Sequence, residues 1–134
     1  MTTLVVHLSD DLSRQIIEHC LSELPNEGCG LLATEGDTIV RVYPTGNDLA
    51  SPTGFTIPPQ DHINSLFDAE SNGWRLSGAF HSHPNGSATL SDIDVNAALD
   101  PEWLYMVVGL SGEPEVRVWR VGDDGVSEIK MFKR

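Results

Sequence analysis

The stretch His81-Ser82-His83-Pro84, followed by Ser91-Asp92-Ile93-Asp94, leaves this chain little freedom. Side chains two apart on a strand share a face, so His81 and His83 reach one point from one side of a sheet. Pro84 has no N–H to donate and ends the strand. Asp94 follows, with Ser91 one helical turn before it. Two imidazoles and one carboxylate leave the fourth position of a tetrahedral zinc open to water, the plan of a catalytic rather than a structural site. The same residues have a plainer reading. Ser91-x-x-Asp94 is a capping box, with Asp where Glu or Gln is commoner and Leu90 and Val95 as its hydrophobic staple. The two readings are compatible, because starting a helix at Ser91 also fixes where Asp94 points.

A chain of 134 residues is expected to form one domain, residues 1–134, with a real core. Eight basic against twenty acidic residues give a net charge of −12. That balance argues against nucleic acid, whose affinity comes from neutralised phosphates, and against an anionic membrane surface. Residues 1–12 carry no basic region and only the apolar run Leu4-Val5-Val6, so neither a signal peptide nor a membrane span is expected. Cys20 and Cys29 have no metal-ligand spacing and suggest a reducing cytoplasm.

The periodicities predict a mixed α/β domain with a central sheet and three helices. Residues 3–8 read as a strand. Ser9 caps a helix whose buried stripe is Leu12, Ile16, Ile17, Cys20, Leu21 and Leu24, ended by Pro25 and Asn26. After Glu27, residues 28–33 read as a buried strand, and 38–43 as the returning arm of a hairpin. Residues 44–54 form a loop containing Asn47, and 54–57 a short strand. Pro58-Pro59 opens a second helix with Ile63, Leu66 and Phe67 as its buried stripe. Residues 74–83 are the strand carrying the histidines, and 91–100 a third helix, with Ala97 and Ala98 on the side of Asp94. Strands at 102–110, 115–121 and 126–132 complete the chain.

A zinc-bound water has its pKa lowered to about 7, and the metal polarises a carbonyl. Hydrolysis still needs a group that moves the water's proton to the leaving amine. Glu27, at the mouth of a buried strand beside flexible glycine, is the best candidate; its plainer reading is a solvated turn glutamate. Other His-x-His chemistries fit worse. Metallo-β-lactamase-type sites need Asp and His where this chain has Asn85 and Gly86. Cupins need a glutamate where Ser87 and Ala88 stand. Amidohydrolase barrels are too long.

Glu27, His81-x-His83-Pro84 and Ser91-x-x-Asp94 together resemble the JAMM, or MPN-plus, metalloprotease motif, including its seven-residue gap between the second His and the Ser. Asn-Glu-Gly-Cys-Gly-Leu-Leu at 26–32 and Ser-Pro-Thr-Gly-Phe-Thr-Ile at 51–57 are similar to the short stand-alone prokaryotic members. The resemblance implies one zinc per chain on His81, His83 and Asp94. It gives Glu27 the proton shuttle and Ser91 the oxyanion. It implies an α/β/α sandwich around a curved mixed sheet, a JAMM/MPN-like and cytidine-deaminase-like fold. It also implies a peptidase or isopeptidase acting at the C-terminal Gly-Gly tail of a ubiquitin-like or sulfur-carrier protein, releasing cysteine or a conjugated lysine. The chain lacks the insertions that grip polyubiquitin, and His7, His19 and His62 read as ordinary strand or helix residues. Two alternatives stand beside this one: a non-catalytic MPN scaffold, against which the complete ligand set argues, and a zinc hydrolase of small amide metabolites.

Overall fold

The computed structural model describes residues 5–133. β1 (Val5–Leu8) leads into α1 (Asp10–Ser22), and β2 (Cys29–Glu35) and β3 (Thr38–Thr45) form a hairpin. Then come α2 (Pro59–Ser71), β4 (Arg75–His83), α3 (Asp92–Ala97), β5 (Leu104–Gly109), β6 (Glu115–Gly122) and β7 (Gly125–Lys133). The strands form one mixed sheet in the order β1-β3-β2-β4-β5-β6-β7. β4 runs parallel to β5 and antiparallel to β2. The α/β class, the curved mixed sheet and the three helices are as expected. The curvature goes further and closes the sheet, because β1 pairs in parallel with both β3 and β7.

Alternation along β2 and β4 divides the core in two. Leu32 and Phe80 join Val6, Ile16, Cys20, Met106 and Val108 in one cluster. Leu31 and Ala33 join Ala69 of α2 in the other, against Trp74, Ala79 and Trp103. Neighbouring strand residues face opposite sides. α1 and α2 therefore cover opposite faces of the β2–β4 pair. Phe80 and Ser82 share the α1 side, whereas Ala79, His81 and His83 share the other. The two strands also press close: a Cβ on Gly30 would run into the Phe80 ring and the Tyr43 carbonyl.

Residues 5–8 form the expected first strand, and residues 3 and 4 lie outside the described residues. Several other expectations are corrected. α1 ends at Ser22, and Leu21 and Leu24 are exposed, so the buried stripe stops at Cys20. α2 buries Ser65 and Ala69 rather than Ile63, Leu66 and Phe67, and Phe67 is 67% exposed. Small side chains let the helix come close to the sheet, and the Ser65 hydroxyl is satisfied by donating to Asp61 O at 2.8 Å.

Residues 54–57 are not a strand beyond a single bridge between Ser51 and Gly54. Their main-chain groups go to a neighbouring loop instead: Asp48 N–H donates to Thr56 O, and Thr56 N–H donates to Asn47 Oδ1. α3 ends at Ala97 rather than at 100. Past it, the Tyr105 hydroxyl accepts from Asp100 N–H and donates to Asp100 O, and Arg120 donates to Pro101 O. Those bonds hold the chain away from the helical path.

Candidate metal and catalytic site

Three elements meet at the C-terminal end of β4. The strand delivers His81 and His83, α3 delivers Asp94, and the connection into β2 delivers Glu27. His81 Nε2 and His83 Nε2 are 3.2 Å apart, and each is 3.0 Å from Asp94 Oδ2. A tetrahedron with bonds of about 2.0–2.1 Å has edges of roughly 3.3 Å, so the three donor atoms are spaced as ligands of a single ion would be. They form the only His/Cys/Asp/Glu cluster of this kind among the described residues.

The surroundings fix the donors. Ser87 O lies 3.0 Å from His83 Nδ1. A carbonyl only accepts, so Nδ1 carries the hydrogen and neutral His83 offers the lone pair of Nε2. The 84–90 loop that supplies this carbonyl crosses directly over Gly109, where a Cβ would sit 2.6 Å from Ala88 N. Trp119 Nε1–H donates to Ala88 O at 2.9 Å and ties the loop down. His81 is stacked against Phe55 with centroids 4.6 Å apart.

Both readings of Ser91-x-x-Asp94 hold at once. Ser91 Oγ accepts from Asp94 N–H at 3.1 Å, and Ser91 N–H donates to Asp94 Oδ2 at 3.0 Å. The capping box thus aims the same carboxylate oxygen at the two imidazoles. Burial alone would raise the Asp94 carboxyl. The bonds from His81, His83 and Ser91 outweigh it and hold the carboxyl well below the usual range. The same Asp94 bond raises the pKa of His83, against burial.

Glu27 is not a solvated turn residue. It is 5% exposed, and its Oε1 is buried with no hydrogen-bond partner among the described residues. A buried unpaired carboxylate oxygen is expensive and calls for a partner such as an ordered water or ion. Burial pushes its carboxyl up to about 7, opposed by His83 and assisted by Asp94. That value suits a group that must take and give a proton near neutrality. Its carboxylate shares a cleft with His83 and Ser91.

Beside the donors lies a groove of about 390 Å³ between residues 53–57 and α3. Leu49, Phe55, Ile93 and Trp103 give it apolar walls, and Ala79, Ala97 and Ala98 keep it shallow-sided. The structure brings Ser91, Asp94, Glu27, His81 and His83 together at this end of the sheet. Ser82 was missed. Its hydroxyl accepts from Gly28 N–H at 2.9 Å, and its N–H donates to Gly28 O at 2.9 Å. Ser82 therefore sets the peptide after Glu27 against the strand that carries both imidazoles. Period-two alternation was the available signal, since it turns the residue between two ligands to the opposite face. His19 is likewise more than a helix residue: its Nε2–H is shared by Cys29 O and Thr45 O at 3.1 and 3.0 Å.

A closed mixed sheet that presents a His-x-His strand, a capped Asp and a buried Glu at one end defines an α/β domain with a candidate metal site. The model of the prokaryotic homologues of the JAB domain matches residues 9–122, and the chain belongs to that family. It is 28% identical over 92% of its length, and 94% of the relative's, to a desampylase of Haloferax volcanii. It is 33% identical over 81% of its length, and 73% of the relative's, to a probable TtuB-protein conjugate cleaving protease of Thermus thermophilus. It is 30% identical over 95% of its length, and 90% of the relative's, to a CysO-cysteine peptidase of Mycobacterium tuberculosis.

Among solved structures, a protein of Desulfitobacterium hafniense superposes with a TM-score of 0.88 at 32% identity, over 96% of this chain and 92% of that one. A JAB1/MPN domain protein of Archaeoglobus fulgidus has a TM-score of 0.61 at 18% identity, over 98% of both chains, and supports the fold. No helix among the described residues is long and apolar enough to cross a membrane.

Proposed function

We propose that this protein is a zinc peptidase or isopeptidase that cleaves the amide bond after the C-terminal glycine tail of a ubiquitin-like or sulfur-carrier protein. The observation that carries the reading is the buried, unpartnered Glu27 Oε1 beside three converging donors. A scaffold that only binds has no use for an orphaned carboxylate at that point. Three relatives with names of this chemistry support the substrate class.

His81, His83 and Asp94 would hold the zinc, one per chain. When bound, zinc lowers the pKa of water to about 7 and polarises the carbonyl. Glu27 takes a proton from the attacking water. The water oxygen bonds to the tail carbonyl carbon, and the carbonyl oxygen gains negative charge. The Ser91 hydroxyl accepts from Asp94 N–H, which leaves its own hydrogen to donate to that oxygen. Glu27 then gives its proton to the amine nitrogen as the carbon–nitrogen bond breaks. The second water proton, left on the new carboxyl group, passes to the departing amine, so the products are a free glycine carboxylate and the protonated amine.

The tail lies in the groove, extended along residues 53–57. The polar groups of 54 and 56 turn toward Asn47 and Asp48, so the alternate residue, Phe55, faces the groove. Main-chain pairing there suits a tail without side chains. The test offers the purified protein ubiquitin-like and sulfur-carrier proteins extended by cysteine, by a peptide or through a lysine isopeptide bond. Release of the extension, abolished by a chelator and restored by zinc, is the expected result. Cleavage of a Leu-Leu tail as fast as a Gly-Gly tail would overturn the placement in the groove. Full activity after His81 and His83 are both replaced by alanine would overturn the metal assignment.

A further inference from the structure

Asn47 lies in none of the motifs that define the site, yet its side chain uses every bond it can make. Nδ2 donates to Glu27 O at 3.0 Å and to Gly54 O at 3.1 Å. Oδ1 accepts from Leu49 N–H at 3.1 Å and from Thr56 N–H at 3.0 Å. A side-chain amide has two donors and two lone pairs, so nothing is left over. The two halves of the amide do different work. The oxygen shapes the groove-lining loop itself. The nitrogen ties the same loop at Gly54 O and, with its other hydrogen, joins it to Glu27, two residues before β2.

A second contact runs the same way, because Glu27 N–H donates to Ser51 O at 2.8 Å. Both main-chain polar groups of Glu27 are thus held by residues of the 47–51 loop that leads into the groove wall. On the far side, Ser82 fixes the next peptide to the histidine strand. The groove loop, the Glu27 main chain and β4 form one hydrogen-bonded stack.

We propose that Asn47 is a positioning residue that locks the groove segment 51–56 to the main chain of Glu27, so that a tail held by the segment is held in register with the proton-shuttling carboxylate. The consequence for turnover rests on the peptidase reading above; the lock itself does not. With Asn47 in place, strain on the segment from a misplaced tail passes to Glu27. Without its nitrogen, the loop can still form around the remaining oxygen while Glu27 drifts from it.

The substitution Asn47→Asp separates the two halves, because it keeps the acceptors and removes the donors. Asn47→Ala removes both without adding charge. Amide hydrogen exchange on the zinc-loaded protein reads the lock through the Glu27 N–H, whose partner Ser51 O belongs to the loop that Asn47 ties to Glu27. In the Asp variant, Leu49 and Thr56 should stay protected while the Glu27 amide exchanges at least tenfold faster, with Val107 in the sheet unchanged. In the Ala variant, all three loop-linked amides should lose protection.

Turnover per bound zinc should fall at least tenfold in the Asp variant, with KM for the tailed carrier raised and zinc content equal to the parent's. A purely structural role would lower the folded fraction and leave kcat per zinc and KM where they were. Parent-like exchange at Glu27, or kcat per zinc within twofold of the parent with KM unchanged, would overturn the proposal. So would failure of both variants to fold, which would make Asn47 a folding residue rather than a separable lock. If the parent cleaves no tailed carrier, the peptidase reading falls, and the exchange result still decides the lock.

Discussion

Two carboxylates within one site behave oppositely because their neighbours differ. Asp94 meets two imidazoles and a backbone N–H and is kept charged. Glu27 is buried without a partner for Oε1 and is pushed up to about 7. Environments that separate two pKa values in this way assign one group to holding charge and the other to moving a proton. Glu27→Gln keeps the size and one acceptor but cannot carry the proton. We expect it to bind one zinc and cleave at least a hundredfold more slowly, within the roughly 10²–10⁴ that a positioned acid/base contributes. Near-normal cleavage with zinc confirmed by elemental analysis would remove Glu27 from the mechanism. Asp94→Asn should act on the metal instead. Its Oδ2 serves both imidazoles and the Ser91 N–H, so zinc affinity should fall by more than the roughly 10–100-fold typical of losing an outer-shell partner. Equal zinc retention after dialysis would refute the assignment.

At the scale of elements, packing decides what periodicity could not. α2 carries Ile63, Leu66 and Phe67 at helical spacing, and the sequence points that stripe inward. The structure buries Ser65 and Ala69 instead. The sequence cannot show that β2 and β4 offer this helix a shallow seat that only small side chains fill. Phe67→Ser should therefore shift stability by less than about 1 kcal/mol in denaturant unfolding, whereas Phe80→Ala, fully buried in the core, should cost about 3–5 kcal/mol. A large loss for Phe67→Ser would mean that its face is covered. Gly30→Ala belongs with the second class, because its Cβ has nowhere to go between Phe80 and Tyr43, and overpacking costs about 1–3 kcal/mol or more. The site was far more legible than these packings. His81, His83, Ser91 and Asp94 sit on a strand end and a helix cap, where local rules fix direction. Glu27 needed a family resemblance, since no local pattern separates a buried glutamate at a site from a solvated turn glutamate. Asn47 was invisible because its partner Glu27 is far away in the chain, and for Ser82 alternation gives the face but not the distant partner, Gly28. The 54–57 segment looked like a strand because its residues suit one, and only the Asn47 and Asp48 bonds show the polar groups of Gly54 and Thr56 to be spoken for.

The whole molecule carries a net charge of −12 and brings three titrating groups, Glu27, His83 and Asp94, to one site, so its stability should depend on pH differently with and without metal. In the metal-free protein, Glu27 is raised from 4.5 to about 7. A raised acid binds more protons folded than unfolded between those values, so its contribution to stability falls as pH climbs through that window. His83 is raised from 6.5 by its bond to Asp94, so its contribution is present below 6.5 and lost as pH rises through the folded value. Asp94 is lowered from 3.8, and its contribution is lost only as pH falls through the acid range. The excess of acidic residues adds self-repulsion that grows with pH. All terms above about pH 5 have one sign, so chelator-treated protein should melt lower at about pH 8 than at about pH 5.5. Bound zinc should oppose the trend, because metal ligands must be deprotonated and binding strengthens as protons leave. At a thousand times its dissociation constant, zinc adds about 4 kcal/mol to the folded state. The gap in Tm between loaded and stripped protein should therefore widen from about pH 5.5 to about pH 8. Glu27→Gln should flatten the stripped protein's decline, recovering up to about 3 kcal/mol at the alkaline end, since one pKa unit is about 1.4 kcal/mol. Thermal unfolding of both proteins, each with zinc and with chelator, gives the four curves. A stripped parent as stable at about pH 8 as at about pH 5.5, or a stripped Glu27→Gln variant that declines as steeply as the parent, would show that the buried carboxylate does not govern this dependence.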